Sequence, residues 1–155
     1  AISFASTGHY HDRGATVVHA SPHTSSVVNS KSISKNGGTA FYRGLLKIAP
    51  NAHGSKANVN CESLMLDNIS KSDTVPIIDI MNDDVDIGHE AKIGRISDET
   101  IFYLMSRGIS EEEAKAMVVR GFVEPISKEL PLEYAVELNN LITLELEGTI
   151  GWYYA

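Results

Sequence analysis

A short polar segment recurs in the first half of the chain. Val28-Asn29-Ser30-Lys31-Ser32 is similar to Val59-Asn60-Cys61-Glu62-Ser63, which begins 31 residues later. A repeat near 30 residues is typical of a β-solenoid, because one turn cannot bury its inner face alone and must stack on the next. A weaker likeness links Thr39 to Ile48 with Thr74 to Asp83. These residues alone leave an ordinary β-sandwich with coincidental similarity open as the alternative.

Residues 1–96 carry strand signals and almost no helix signals. Clusters of Ser, Gly, Asn, Asp and Pro separate the short β-like runs, which are Val17-Val18, Val27-Val28, Phe41 to Ile48, Val59 to Leu66 and Val75 to Met81. Alternation along 57–66 places Val59 and Cys61 on one face. Alternation along 85–93 places His89 on an apolar face and Glu90 opposite. If both segments are strands, Cys61 and His89 face inward and Glu90 faces outward.

Residues 97–155 carry helix signals and form the second predicted domain, after a β domain at 1–96. Ser97 is a predicted N-cap, Ser110 with Glu113 forms a capping box, and Gly108 is predicted to end the first helix. Pro131 fits the first position of a third helix. The predicted apolar stripes are Ile101, Phe102, Leu104 and Met105 in the first helix, and Ala114, Met117, Val118 and Phe122 in the second.

The third predicted helix is apolar around too much of its circumference for a simple surface helix. We expect packing within the domain to cover the additional face, with cover by the end of the β-solenoid or by a partner protein as the alternatives. The aromatic tail Trp152-Tyr153-Tyr154 follows two glycines and is predicted to be loosely held.

Length and charge limit the possible classes of protein. A chain of 155 residues suits one domain, or one domain with a small appendage. Its net charge of −7 argues against nucleic acid or an anionic membrane as the main partner. No run of 18 apolar residues predicts a membrane span, and residues 1–20 lack the pattern of a signal peptide. The single cysteine, Cys61, excludes an internal disulfide and fits a reducing compartment. Because the chain opens within an apparent strand, we expect the natural N-terminus to lie upstream.

Two features are candidates for metal chemistry. Cys61 is a soft ligand if its thiolate is stabilised, although a lone inward cysteine more often serves as a small hydrophobic residue. His89-Glu90 pairs two competent iron ligands, but neighbours on a strand face opposite ways, so one mononuclear site using both needs a bulge or a strand end. His9-Tyr10-His11 has a spacing found in metal sites, and a solvated polar loop is the favoured interpretation.

The acidic cluster Asp83, Asp84 and Asp86 resembles the grouped carboxylates of carbohydrate-active β-solenoids. A turn is the favoured interpretation of Asp83-Asp84. The sequence contains no nucleophile elbow, phosphate loop or Cys-x-x-Cys motif. We therefore predict that the chain is not an enzyme.

Several segments together resemble one known family. Asp83-Asp84-Val85, Gly88-His89-Glu90-Ala91, Gly94-Arg95-Ile96 and the segment from Phe102 to Ile109 are similar, in that order, to the C-terminal signature of the SufB/SufD family of iron–sulfur cluster assembly scaffolds. Further similar stretches are Ser30 to Ser34, Tyr42 to Leu45 and Glu129 to Glu133. Cys61 and the His89-Glu90 pair match the SufB-like branch, since SufD-like members tend to have His-Gly. The resemblance covers only the last third of a full-length member.

The resemblance implies a right-handed parallel β-helix at 1–96, followed by a small helical domain at 97–155. It implies a cytoplasmic scaffold that holds a transient iron–sulfur cluster, with iron, near the β-helix interface through Cys61, Glu90 and His89, the histidine chiefly on the partner chain. The implied partners are a SufC-type ABC ATPase on the helical domain and a SufD-like or second SufB-like chain on the β-helix. A carbohydrate-active β-solenoid using Asp83, Asp84 and Glu90, and a protein-interaction module, are the alternatives.

Overall fold

The structure, a computed structural model, describes residues 1–147. Strands fill the first part of that range and helices the second. The strands are β1 (Ile2–Ala5), β2 (Tyr10–Arg13), β3 (Thr16–His19), β4 (Ser25–Ser34), β5 (Thr39–Ile48), β6 (Ser55–Met65), β7 (Lys71–Ile80) and β8 (Val85–Arg95). The helices are α1 (Asp98–Met105), α2 (Glu111–Ser127) and α3 (Leu132–Glu147). The aromatic tail considered above lies outside the described residues.

The strands form two parallel sheets between which the chain passes alternately. Sheet A has the order β1-β4-β6-β8. Sheet B has β5 at its centre, with β2 and β3 along one side and β7 along the other. The result is a solenoid of about three turns followed by three helices. The predicted parallel solenoid is therefore confirmed, and the β-sandwich alternative, which would be antiparallel, is wrong.

The internal repeat corresponds to the register of sheet A. Val28 pairs with Val59 and Ser30 pairs with Cys61, so the recurring segment stacks on itself in the next turn. The weaker likeness in sheet B is misaligned, because Thr39 pairs with Lys71 and not with Thr74. In sheet A the polar residues of the recurring segment identify their partners on the next strand, so the sequence likeness gives the register. In sheet B the apolar runs of β5 and β7 match equally well after a small shift, so the likeness does not determine their register.

The corners that link the sheets hold neighbouring turns together. Gly37 has φ +78°, a left-handed conformation that side chains rarely adopt, and a Cβ on Gly38 would lie 2.5 Å from the carbonyl carbon of Ala5. In the next turn Asp67 accepts hydrogen bonds from the backbone amides of Ile69 (2.9 Å), Ser70 (2.7 Å) and, across turns, Asn36. One carboxylate therefore closes its own corner and fixes it to the corner beside it.

A buried polar cluster occupies another corner. His19 is buried, and its Nδ1 and Nε2 lie 2.6 Å and 2.8 Å from the hydroxyls of Thr24 and Ser26. Thr24 also lies 2.9 Å from the hydroxyl of Ser55 in the next turn. Because both ring nitrogens have hydroxyl partners, the imidazole is satisfied within the fold.

The core of the solenoid lies between the sheets. It is formed by the buried cluster Tyr42, Leu46, Ile48, Ala52, Ala57, Val59 and Cys61. Burying one of the larger aliphatic side chains of this cluster, a valine, leucine or isoleucine, contributes about 1.5–3 kcal/mol to the free energy of folding. The phenol ring of Tyr42 lies over Gly44, where an added Cβ would come within 2.8 Å of the ring and of its hydroxyl. The missing side chain at Gly44 therefore creates the space that Tyr42 fills.

The chain divides into two compact units, Ala1–Arg95 and a helical unit that begins at Ile96. In the helical unit the Ser97 hydroxyl accepts from the amide of Thr100, and the Ser110 hydroxyl accepts from that of Glu113, as the sequence predicts. Gly108 follows α1 with φ +88°. Arg120 of α2 donates to the Thr143 hydroxyl of α3 at 2.7 Å. None of the described helices has both the length and the apolar character that crossing a membrane requires.

The predicted helix stripes are partly wrong. In α1 Ile101 is buried, but Phe102 is 74% exposed. In α2 the buried residues are Ala114, Ala116, Val119 and Val123, a face rotated from the predicted stripe. Two of these buried residues are alanines, which a search for large apolar side chains does not detect. Pro125 lies in the last turn of α2, which ends at Ser127.

Candidate functional site

Cys61 lies on the inward face of β6 in the middle of sheet A. It is a free cysteine that is 3% exposed, and it belongs to the core cluster defined above. Residues alternate along β6, with Ala57, Val59 and Ser63 buried on the same face. The inward orientation that alternation predicts for Cys61 is therefore present.

His89 faces the same side of sheet A from the neighbouring strand. In the register of β6 and β8, Val59 pairs with His89 and Cys61 pairs with Ala91. Paired residues of parallel strands share a face, so the imidazole and the thiol are diagonal neighbours. Strand spacing and rise place their Cα atoms about 8 Å apart. His89 is exposed, however, because β8 is the last strand of sheet A.

Glu90 faces the opposite side of sheet A. It pairs in register with Asn60, whose side chain lies on the outer face, and its carboxylate contacts Lys92 at 3.0 Å. Both partners of this ion pair are exposed, and the carboxylate raises the pKa of Lys92. Within one chain the sheet itself separates the Glu90 carboxylate from the Cys61 sulfur.

The environment of Cys61 keeps its thiol protonated. Burial raises the pKa of the thiol, and the nearby hydroxyl of Thr74 opposes that rise. Burial, and then the proximity of Cys61, raise the pKa of the Tyr42 phenol, while the backbone of Ala15 opposes it. A neutral thiol beside a neutral phenol is the state that this interior favours. Reaction or metal binding at Cys61 therefore requires a change that stabilises the thiolate.

Among residues 1–147, no group of three or more His, Cys, Asp or Glu side chains is arranged to hold a metal ion. His9 and His11 stack with ring centroids 5.5 Å apart, and burial lowers the pKa of His11, with Arg13 and His9 adding to that effect. The adjacent Asp12 is engaged with Arg43 at 3.1 Å. His11 lies in strand β2 instead of in the predicted solvated loop, and its Nδ1 is buried without a hydrogen-bond partner. Because Asp12 is engaged with Arg43, it is not available as a third ligand beside the two imidazoles.

The acidic cluster is too extended for paired-carboxylate hydrolysis. Asp83 and Asp84 lie in the corner before β8, where the amide of Asp84 donates to the side chain of Asn82 at 2.9 Å. Glu90 lies six residues beyond Asp84 along β8, which corresponds to about 20 Å. Glycosidase carboxyl pairs are about 5–10 Å apart. The turn interpretation is therefore preferred, and the carbohydrate-active alternative loses its support.

Two interior residues near Cys61 were not singled out as functional from the sequence. Tyr42 and Thr74 pair in register in sheet B and face the thiol from the opposite side of the interior. Alternation shows which residues of β5 and β7 face inward. It does not show which of them lies opposite a given residue of sheet A, because that depends on how the two corners are built.

Comparison with known proteins gives one consistent match. Residues 1–122 match the family model described as "SUF system FeS cluster assembly, SufBD core domain". A protein of Staphylococcus epidermidis described as an iron–sulfur cluster assembly SufBD family protein is 55% identical over 150 residues, which cover 97% of this chain and 32% of the relative. Relatives from Staphylococcus haemolyticus and Staphylococcus aureus with the same description are 54% identical over the same shares of each chain. The chain thus spans about a third of the length of the curated relatives it matches.

Proposed function

Because the chain belongs to the SufBD family of the SUF system for iron–sulfur cluster assembly, we propose that it is part of a scaffold on which a cluster is built and then released. Cys61, Glu90 and His89 fit the SufB-like branch of that family. The observation that carries the proposal is the placement of Cys61 and His89 as diagonal neighbours on one face of sheet A, at its last two strands. In this proposal the cluster and its iron are transient cargo.

Each of the three residues has a distinct role in the proposal. Cys61 supplies the sulfur ligand, since its thiolate binds iron once the proton is lost. His89 supplies an imidazole from the exposed last strand of sheet A. Glu90, facing outward, supplies a carboxylate to iron shared with a partner chain. A site shared by two chains removes the difficulty that Glu90 and Cys61 face opposite sides of one sheet.

The partner at the β-helix is proposed to be a SufD-like or a second SufB-like chain. Ile78, Ile80 and Ile93 lie on the inward faces of β7 and β8, and each is more than a third exposed. We call these three residues the open end of the solenoid. Edge strands that carry exposed apolar side chains are suited to association with another chain. Such a partner would bury the open end together with His89.

The helical unit is proposed to bind a SufC-type ABC ATPase. Its largest exposed apolar side chains include Phe102 at 74%, Leu132 at 77% and Tyr134 at 67%. Exposed aromatic and leucine side chains in such numbers support a protein interface. In this proposal the partner hydrolyses ATP and the chain itself catalyses no reaction. A β-helix segment at 1–96 and a helical domain at 97–155 would then have separate partners in one cytoplasmic complex.

The test is anaerobic reconstitution of the intact protein with its co-purified partners, followed by assay of iron, acid-labile sulfide and visible absorption. The wild type is expected to form a cluster, and the Cys61→Ser, Glu90→Ala double variant is expected to form little or none. Asp86→Asn is the matched control, because Asp86 is another outward acid of β8. Normal cluster formation in the double variant would exclude these residues from the site.

A further inference from the structure

Two histidines from successive turns of the solenoid meet at one corner. His23 precedes β4 and His53 precedes β6, and the backbone amide of His23 donates to the carbonyl of His53 at 2.9 Å. Their ring centroids are 5.0 Å apart, and the ring planes are inclined at 88°. Both side chains are exposed. The stacking of turns therefore brings together two imidazoles that the sequence separates by a full turn.

The backbone of the corner holds the His23 ring in place. His23 has φ 56°, a left-handed conformation that is uncommon for residues other than glycine. Gly54 has φ +66°, and a Cβ there would lie 2.4 Å from Nδ1 of His23. The ring of His23 thus occupies the space that a side chain at residue 54 would fill. A ligand that binds a ring ordered in this way has less conformational entropy to remove.

The relative orientation of the two rings suits a shared metal ion. With Zn–N bonds of about 2.0–2.1 Å and near-tetrahedral angles, two imidazoles on one ion have ring centroids about 5 Å apart. Perpendicular ring planes meet along a line, so one ion can lie in the plane of both rings. The rings of His9 and His11 are 5.5 Å apart and inclined at only 12°. Such nearly parallel, stacked planes offer no common position for an ion.

The fold makes no other use of the two imidazoles. Within residues 1–147 neither His23 nor His53 makes a side-chain hydrogen bond or an ion pair, whereas both ring nitrogens of His19 have hydroxyl partners. Asp83 and Asp84 belong to the same corner of the next turn, where the carbonyl of Asp84 accepts from the amide of Gly54 at 2.7 Å. Acidic residues at this corner favour a bound cation over an anion.

We propose that His23 and His53 form a binding site for a divalent transition-metal ion of the Zn²⁺ class, with one nitrogen from each ring. Imidazole is a ligand that zinc, copper and nickel accept readily. Among the described residues no third His, Cys, Asp or Glu completes a metal site, so water fills the remaining positions. The site does not depend on the proposed function. Along β6, Ser55 at this corner is about 20 Å from Cys61.

The experiment is a calorimetric titration of the chelator-treated intact protein with Zn²⁺ alone. It is done in a Cys61→Ser background, which removes the thiol as a competing ligand. We expect one Zn²⁺ bound at this corner in each chain. In spectra of ¹⁵N-labelled histidine, the ring nitrogens of His23 and His53 should shift together at the same zinc concentration.

Three variants test the ligands. His23→Asn keeps a residue type that tolerates the left-handed backbone, and it should lose the zinc-binding isotherm. His53→Asn, at a position without a positive φ, should lose it as well. His9→Gln is the matched control, because it removes an exposed imidazole of the stacked pair and should bind zinc as the parent does. Circular dichroism and unfolding midpoints verify that each variant is folded.

The proposal fails if the parent binds no zinc, if the folded His23→Asn and His53→Asn variants bind it like the parent, or if His9→Gln loses as much affinity as they do. Cluster reconstitution with His23→Asn or His53→Asn in the otherwise wild-type protein should be normal, because the corner is remote from Cys61. A normal cluster in Cys61→Ser would contradict the proposed function alone and leave the zinc site standing.

Discussion

Cys61 and Glu90 lie on adjacent strands of sheet A, yet their side chains face opposite sides of it. Cys61 pairs with Ala91, which faces the interior as Cys61 does. Glu90 is the residue before Ala91 in β8, so its side chain faces the opposite side of the sheet. The cysteine is buried in the core, while the glutamate is exposed and paired with Lys92. A single chain therefore presents a thiol and a carboxylate to two different spaces, and under the proposed function the loading of sulfur and the loading of iron would be separable steps.

The first prediction follows from that separation. Glu90→Gln removes the charge of a proposed iron ligand without changing the interior. We therefore expect Cys61 still to accept sulfane sulfur from an added persulfide donor, which leaves as its thiolate, while the iron content falls severalfold. Mass spectrometry of the Cys61 peptide measures added sulfur, and a colorimetric assay measures iron. Asp86→Asn, on the same face of β8, should change neither value. Parallel loss of sulfur and iron in Glu90→Gln would show that the two steps are coupled.

The second prediction concerns alkaline stability. Burial raises the pKa of Cys61, so the folded chain holds the thiol proton more tightly than the unfolded chain does. Stability from this group is fully present below the unfolded thiol pKa of about 8.5 and is lost as pH rises through the folded pKa. Unfolding midpoints in denaturant should fall above about pH 8.5 in the wild type and fall less in Cys61→Ser. The phenol of Tyr42, whose pKa is also raised, should leave a residual decline in that variant.

The third prediction is that Gly44→Ala destabilises the solenoid. Glycine in a strand is usually unfavourable, and alanine there would ordinarily stabilise the fold. Here the new Cβ would lie 2.8 Å from the ring of Tyr42, a buried side chain with little room to move. Overpacking of this kind costs about 1–3 kcal/mol. Chemical denaturation should show the loss, and the same substitution in a Tyr42→Leu background should be neutral or stabilising.

The fourth prediction concerns the corner at Asp67. Burial alone would raise the pKa of this carboxyl, but hydrogen bonds from Ser70, Ile69 and Asn36 lower it overall. Its contribution to stability is therefore present above an unfolded pKa of about 3.9 and is lost as pH falls through the folded value. We expect Asp67→Asn to cost about 1–2 kcal/mol at neutral pH, and less in strong acid. Asp73→Asn, an exposed acid of β7, is the control; equal losses in both variants would contradict the assignment.

The sequence predicts sheet A better than sheet B, and the reason is physical. The polar repeat around Ser30 and Cys61 determines the register of β4 and β6, because only one alignment of the two strands places similar residues beside each other. Thr39 to Ile48 is a run of general strand formers, and its partner could not be aligned from residue type alone. The sequence also did not identify Thr74 as a neighbour of Cys61. Alternation shows that Thr74 faces inward, but the corners between the sheets determine which residue of sheet A it lies opposite. In the helices the buried face follows small residues such as Ala116, which large-residue patterns overlook.

The last prediction tests the open end of the solenoid as the surface for a partner chain. Ile93 is 46% exposed on the inward face of β8, in register with Ser63. Placing a charge there disturbs little that is buried within one chain, but would desolvate an unpaired carboxylate in a chain–chain interface. We therefore expect Ile93→Asp to weaken association with the β-helix partner by tenfold or more, with little change in the unfolding midpoint.

Val27→Asp is the matched control for this surface. Val27 is 66% exposed on β4, an inner strand of sheet A, and lies on the outer face away from the open end. Analytical ultracentrifugation or titration calorimetry with the co-purified partner compares the two variants. Because the helical unit is unchanged in both variants, binding of the proposed ATPase partner should stay at the wild-type level. Equal weakening by Ile93→Asp and Val27→Asp would place the interface on the outer face of sheet A, where Glu90 also lies, instead of at the open end.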